Sequence, residues 1–219
     1  MIVTIDGPAG TGKSTVARRL AERLGFEFLN TGAMYRAVAL VCLDRGLTPS
    51  DEPAVAEIPG SVQIVFRHNK LWLNGRDVSD AIRESAVTDA ASIVASNPAV
   101  RQQLVALQQH CAEHANLVTE GRDQGTVVFP QAECKIFLTA TAEERARRRL
   151  RELTDQGQSV DWNSLLADLQ LRDHRDATRA CAPLVPAADA QIVDSSVMTI
   201  EEVLAHLEQL ARQRLQLLP

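Results

Sequence analysis

MIVTIDGPAGTGKSTVARRLAERLG, residues 1–25, passes from an apolar run through a glycine-rich turn into a stretch with helical periodicity. MIVTID reads as a buried strand, and KSTVARRLAERLG as an amphipathic helix ended by Gly25. Between them, GPAGTGKS fits GxxxxGK[ST] in full, with a strand before and a helix after, as that motif requires. Gly7, Pro8, Ala9, Gly10, Thr11 and Gly12 are expected to turn the backbone so that its N–H groups face phosphate oxygens. Lys13 then reaches the β- and γ-phosphates, the Ser14 hydroxyl sits on Mg²⁺, and Thr15 continues the cradle into the helix N-terminus. ATP with Mg²⁺ is the expected ligand.

Outward from this turn, strands and helices alternate. FEFLN, 26–30, reads as a short strand and AMYRAVALVCLDRG, 33–46, as a helix. Over 51–97 the texture changes: SVQIVF and KLWL alternate at period two, and Asn74-Gly75 marks a tight turn. SDAIRESAVTDAASIVA, 79–95, reads as short helical pieces, so 51–97 is expected to form an inserted subdomain. Pro98 starts a long helix. NLVTE and CKIFLTA are strands, the second leading into a helix with a capping box at Thr141 and Glu144. Two polar helices meet near Gly157, AQIVDSS is the last strand, and Thr199 with Glu202 caps the last helix. Such alternation with short connections predicts an α/β fold: a three-layer, doubly wound parallel sheet in a single domain over 1–219.

With 45% hydrophobic and only 4% aromatic residues, the core must be built from aliphatic side chains and alanine. A net charge of −5 argues against broad binding to nucleic acid or acidic membranes. The longest apolar stretch, AVALVCL, is too short to span a bilayer. MIVTID opens without a charged leader, so a cytoplasmic protein is expected. Cys42, Cys111, Cys134 and Cys181 form no CxxC pair and read as four buried free thiols rather than a zinc or redox site. His68, His110, His114, His174 and His206 read as surface residues.

What the ATP is used for depends on the rest of the chain. A GTPase would carry an Asn-Lys-x-Asp reader, which NKLW at Asn69 does not complete. A small kinase must hold a second anionic substrate in line with the γ-phosphate. Two unit charges about 4 Å apart at an effective dielectric near 20 repel by roughly 4 kcal/mol, so cations from several segments must converge. Lysines are only Lys13, Lys70 and Lys135; arginine is the background cation, and position must decide. Arg36, Arg122, the cluster Arg145, Arg147, Arg148, Arg149 and Arg151, and RDHRDATR at 172–179 are the candidates, suited by the bidentate guanidinium fork. On a helix Arg172, Arg175, Asp176 and Arg179 share one face while Asp173 and His174 point elsewhere. A solvated helix face is the plain alternative for each run. A nucleoside monophosphate is already an ionised nucleophile near neutral pH and needs alignment rather than a general base.

IDGPAGTGKST, NTGAMYRA, EGRDQGTVVFP and RDHRDATRACAPLVPAADA follow one another in an order that resembles the bacterial-type cytidylate kinases, a branch of the nucleoside monophosphate kinases. The resemblance covers almost the whole chain. It implies a P-loop kinase fold with phosphoryl transfer from ATP-Mg²⁺ to CMP or dCMP. Arg36 and Arg122 then hold the acceptor phosphate beside Lys13, and Tyr35 lies beside the sugar. Asp123, Arg101, Arg179 and Ser92 read the cytosine edge, Arg172 and Asp176 meet the ribose hydroxyls, and Arg83 adds an acceptor contact. The 51–97 segment resembles the family's enlarged monophosphate-binding region. Residues 145–180 resemble a lid with acceptor-site helices, Arg148 reaching ATP. A monomer without nucleic-acid or membrane partners is implied. One departure is Glu120, where the family commonly has Asp, which bears on any indirect role at Mg²⁺. Gln124 is expected to be a loop residue. Two other readings stay open: a small P-loop kinase acting on UMP or a non-nucleotide metabolite, and a non-catalytic nucleotide switch.

Overall fold

The computed structural model describes residues 1–67, 70–113, 115–155 and 157–216. His68, Asn69 and His114, weighed above, lie outside them. The first strand, β1 (Ile2–Asp6), is central in a five-stranded sheet. Its partners come from the far half of the chain: β6 (Leu117–Gly121) and β7 (Cys134–Thr139), both parallel to it. β8 (Gln191–Asp194) extends β7, and β2 (Glu27–Asn30) closes the other edge, giving the order β2-β6-β1-β7-β8. In register, Ile5 lies opposite Glu120 and Ile136, which brings the end of β6 beside the glycine turn that leaves β1.

The chain divides into two compact units, the first being residues 1–28 with 115–219. Its core follows from the period of two along β1. Val3 and Ile5 join Val118, Ile136 and Leu138 under α1 (Lys13–Leu24) and α9 (Ile200–Leu215). Val16, Ala17, Leu20 and Ala21 of α1 and Leu204, Leu207 and Ala211 of α9 supply the cover at helical spacing. Alternate β1 residues, Thr4 and Asp6, are buried and polar. Against Asp6 lies the wide helical turn Gln124–Val128, where Gln124 is buried. The expected loop residue is therefore an interior one: its backbone N–H donates to Asp6, and its side-chain oxygen accepts from the Thr119 hydroxyl inside the core. Beyond β7, α7 (Ala142–Asp155) packs on α8 (Trp162–Thr178), with Ala9 of the glycine turn, Ala146 and Leu169 in one small cluster.

The second unit is Leu29–His114. It contains 51–97 and is wider, because α2 (Thr31–Asp44) packs on α5 (Ser85–Val94). The short helices α3 (Glu52–Ala56) and α4 (Ile58–Ser61) lie against α6 (Pro98–Cys111). The small antiparallel sheet β3 (Ile64–Arg67), β4 (Lys70–Leu73), β5 (Arg76–Asp77) turns at Asn74-Gly75, both with positive φ, as the dipeptide predicts.

Besides Gln124, three expectations need correction. Cys42 and Cys134 are buried, but Cys111 and Cys181 are only half-buried, so the four thiols are not all interior. Thr141 and Glu144 make half a capping box: the Thr141 hydroxyl accepts from the Glu144 N–H, but the Thr141 N–H goes to Ser196 Oγ, and the Glu144 carboxylate holds Arg147 and Arg148. The third concerns the polar face of α8 and is described with the site. His110, His174 and His206 are exposed, as read from the sequence. Among the described residues no helix is long and apolar enough to cross a membrane.

Candidate active site

Gly7 must be glycine: a Cβ there would lie 2.0 Å from the Leu138 carbonyl oxygen of β7. Gly12, at φ +87, is the N-cap of α1, and no side chain occupies the cap. The first N–H groups of α1 are thus left to an anion. Two arginines of α7 hold the opposite side of the turn. Arg145 donates to the Ala9 carbonyl (3.0 Å), and Arg148 to the Thr11 carbonyl (3.3 Å) and to Ser195. Lys13 is buried and donates to the Pro8 carbonyl at 2.6 Å. Burial and the charges of Arg122 and Arg172 bring its pKa down to about 7, against the pull of Glu120 and Asp6.

The Ser14 hydroxyl donates to Glu120 Oε1 at 2.7 Å, and Glu120 is buried. A hydroxyl and a carboxylate in contact are hard oxygen donors. They fit Mg²⁺, which takes one or two protein oxygens and completes its shell with phosphate and water. Among the described residues no group of three or more metal-ligating side chains exists, so an all-protein cage is not what this donor set offers. The extra methylene of Glu120, relative to Asp, is accommodated by this direct contact.

Past β6, Arg122 Nε donates to Asp176 Oδ2 at 2.7 Å, and Nη1 to the Gly121 carbonyl. Burial disfavours its charge, but the Asp176, Glu120 and Asp173 carboxylates outweigh that, so its pKa is raised. For Asp176, burial is likewise outweighed by Arg122, Arg172 and Arg179, and its pKa is lowered. Arg179 Nη2 lies 3.8 Å from Asp123 Oδ1, both nearly buried, while its Nε donates to the Ala182 carbonyl. Asp6, which the sequence reading passed over, accepts the N–H groups of Gln124 and Gly125 at 2.8 Å each. Burial pushes its pKa up to about 6, helped by Asp123 and opposed by those two N–H groups and Lys13. An acid closing an otherwise interior strand was the available signal, since a buried carboxylate requires donors.

The inward face of α8 differs from the expected one. Asp173 is turned to Arg145 Nη2, 2.7 Å away, and Arg175 is exposed. The helix ends at Thr178, and Arg179 has left it at φ −61°, ψ 140°. The five α7 arginines also divide. Arg145 is buried, Arg148 is half-buried, Arg147 pairs with Glu144, Arg149 with Glu152, and Arg151 is exposed.

In the second unit, the Arg101 guanidinium lies 5.6 Å from the centre of the Tyr35 ring, and Arg101 Nη1 donates to the Ala95 carbonyl. Ser92 Oγ is buried with no hydrogen-bond partner among the described residues. Arg36 follows Tyr35 on α2 and is half-buried. Arg83 is exposed and donates to the Ser79 carbonyl at 3.2 Å.

A family model described as cytidylate kinase matches residues 3–213. A cytidylate kinase of Mycobacterium leprae (strain Br4923) is 50% identical over 215 residues, covering 98% of this chain and 96% of that protein. One from Pelotomaculum thermopropionicum is 49% identical, covering 92% and 91%. Among solved structures, a gluconokinase from Sinorhizobium meliloti 1021 superimposes at TM-score 0.50 with 15% identity, covering 98% of this chain and 94% of that one. A shikimate kinase from Bacteroides thetaiotaomicron also gives 0.50, at 13% identity, with coverage of 97% and 98%. These last two share the α/β P-loop kinase fold.

Proposed function

The chain belongs to the cytidylate kinase family and is a nucleoside monophosphate kinase; from that premise we propose that it transfers the γ-phosphoryl group of ATP to CMP or dCMP, giving ADP and CDP or dCDP. The observation that carries this is the Arg122–Asp176 pair beside the glycine turn. A guanidinium held by a carboxylate is oriented before the substrate arrives, and it offers its remaining N–H groups to an acceptor phosphate. Lys13 neutralises the transferring phosphate from the donor side. The acceptor phosphate is its own nucleophile, so these groups supply alignment and charge and no base.

Ser14 and Glu120 would hold Mg²⁺ with ATP, the ion supplying charge neutralisation at the phosphate oxygens. The glycine turn from Gly7 to Ser14, with Thr15 and Arg148, binds ATP in this reading. Asp123 with Arg179 is the polar pair set to read the base edge, a carboxylate for the cytosine amino group and a guanidinium for its acceptors. Ser92 and Arg101 belong to the same reading, and the buried, unpartnered Ser92 hydroxyl supports a ligand contact. Tyr35, Arg36, Arg83 and Arg172 complete the acceptor set. Residues 51–97 are taken as the monophosphate-binding region and 145–180 as the lid, in a cytoplasmic monomer.

An ADP-release assay with ATP-Mg²⁺ and a panel of CMP, dCMP, UMP and sugar or acid metabolites tests the proposal. CMP and dCMP are expected to be consumed, and Arg122→Ala to lower kcat/KM for the acceptor by about 10²–10³ with nucleotide binding nearly unchanged. Indifference to both cytidine nucleotides while another acceptor turns over would refute the substrate. An equal loss of ATP affinity in the variant would refute the role of Arg122.

A further inference from the structure

We propose that Arg145 is a positioning residue that ties the ATP-binding turn to the acceptor-side helix through Asp173, so that nucleotide in the turn is felt along α8. All three guanidinium nitrogens of Arg145 are engaged by protein. Nε donates to the Ala140 carbonyl (3.0 Å), Nη1 to the Ala9 carbonyl (3.0 Å), and Nη2 meets Asp173 Oδ2 (2.7 Å). Its side chain is 6% exposed, which leaves it little surface to offer a nucleotide. Asp173 Oδ1 is buried without a hydrogen-bond partner among the described residues, so the contact of Oδ2 with Arg145 bears directly on where this carboxylate sits. One helical turn on, Asp176 holds Arg122. Asp173 also adds to the field that keeps Arg122 charged, so its carboxylate acts on a second guanidinium besides that of Arg145.

Packing joins the same three elements independently of charge. Ala9, Ala146 and Leu169 form one apolar cluster, with Trp162 and Leu166 against it. A Cβ on Gly10 would come within 3.1 Å of Arg145 Cβ, so the turn lies directly on the α7 backbone at this residue. A carbonyl held from outside also fixes its peptide unit, and with it the direction of the adjoining N–H groups toward phosphate. A turn stiffened by a bound polyphosphate therefore has a short, fully bonded route to α8: Ala9 carbonyl, Arg145, Asp173, helix.

The kinetic consequence rests on the acceptor reading above, and the exchange measurement does not. Amide exchange across α8 is followed with and without saturating β,γ-imido-ATP and Mg²⁺, in the wild-type chain, Asp173→Asn and Asp173→Glu. In the wild type, exchange within Leu169–Thr178 is expected to slow by about threefold or more on binding, and by less than about 1.5-fold in Asp173→Asn. Asp173→Glu, which keeps the charge, should recover most of the effect. With CMP as acceptor, Asp173→Asn should lower kcat about tenfold while the analogue's dissociation constant stays within about twofold. Should Asp173→Asn fail to fold, Arg145→Lys keeps the charge but cannot span three partners, and the same loss of protection is expected of it. Equal protection in wild type and variant, or none in the wild type, overturns the proposal. A wild-type chain that ignores CMP but shows the protection difference refutes the acceptor reading and leaves the coupling standing.

Discussion

Lys13 feels two opposing fields, and its proton reports which is winning. Burial, Arg122 and Arg172 lower its pKa to about 7, so the free chain holds it mostly neutral at pH 8 and mostly charged at pH 6. A triphosphate next to the amine favours the ammonium form. Nucleotide binding at pH 8 should therefore take up nearly one proton, and at pH 6 almost none. Titration calorimetry in buffers of unequal ionisation enthalpy measures the uptake; equal values at the two pH values would contradict the assignment. Folding stability carries the same sign. The folded chain binds this proton less tightly than the unfolded chain, so the contribution is complete above 10.5 and is lost as pH falls through about 7. Asp6 works in the other sense: its pKa, raised to about 6, favours the folded chain below 3.8, and that contribution is lost as pH rises through about 6. The sequence displayed Lys13 through its motif. Asp6 offered only the weaker signal of an acid at the end of an interior strand, because its donors lie 118 and 119 residues away.

Helices show where a pattern alone is ambiguous. RDHRDATR contains two stripes at helical spacing, and the sequence reading chose 172, 175, 176 and 179. The buried stripe instead continues Leu165 and Leu169, whose i+3 and i+4 neighbours are Arg172 and Asp173, and then Asp176. Counting forward from those leucines would have found it. The two Ser/Thr-x-x-Glu boxes make a similar contrast. Thr199 and Glu202 exchange both hydrogen bonds, whereas Glu144 is diverted by arginines one turn along its own helix. Competition for a carboxylate is invisible to spacing. Because α9 covers the main core with Leu204 and Leu207, its N-terminus bears on the whole fold. Thr199→Ala should lower stability by about 1 kcal/mol, or about 2–4 °C in Tm for a chain of this size, with kcat unchanged. Thermal melts beside steady-state rates check this. An unchanged Tm would mean the box adds nothing beyond solvated ends.

Across the whole molecule the alternation of strands and helices was legible because the central strands β1, β6 and β7 are buried, largely apolar runs that stand out from the polar helices around them. The strand order was not, since β1 pairs with segments more than 110 residues distant and nothing local encodes which. The extent of the second unit was hidden for a related reason: α2 reads as an ordinary helix, and its packing, chiefly on α5 and also on α4 and α6, assigns it there. Charge is the global property that the sequence stated outright, a net −5, and it must be reconciled with binding two anionic nucleotides. The excess is spread over the surface, where salt screens it. The cations proposed to meet phosphate are sheltered: Lys13 is 5% exposed, and the Arg122 side chain 18%. Raising salt from 0.1 to 1 M shortens the screening length from about 10 Å to about 3 Å. That relieves the surface repulsion of incoming nucleotide and only slightly weakens the buried attraction, two effects of opposite sign. The KM values for donor and acceptor should consequently change by less than about threefold over this range. A nucleotide held by the exposed arginines of α7 would instead lose affinity about tenfold or more, and a rise of that size would move the site from the buried cluster to the helix surface.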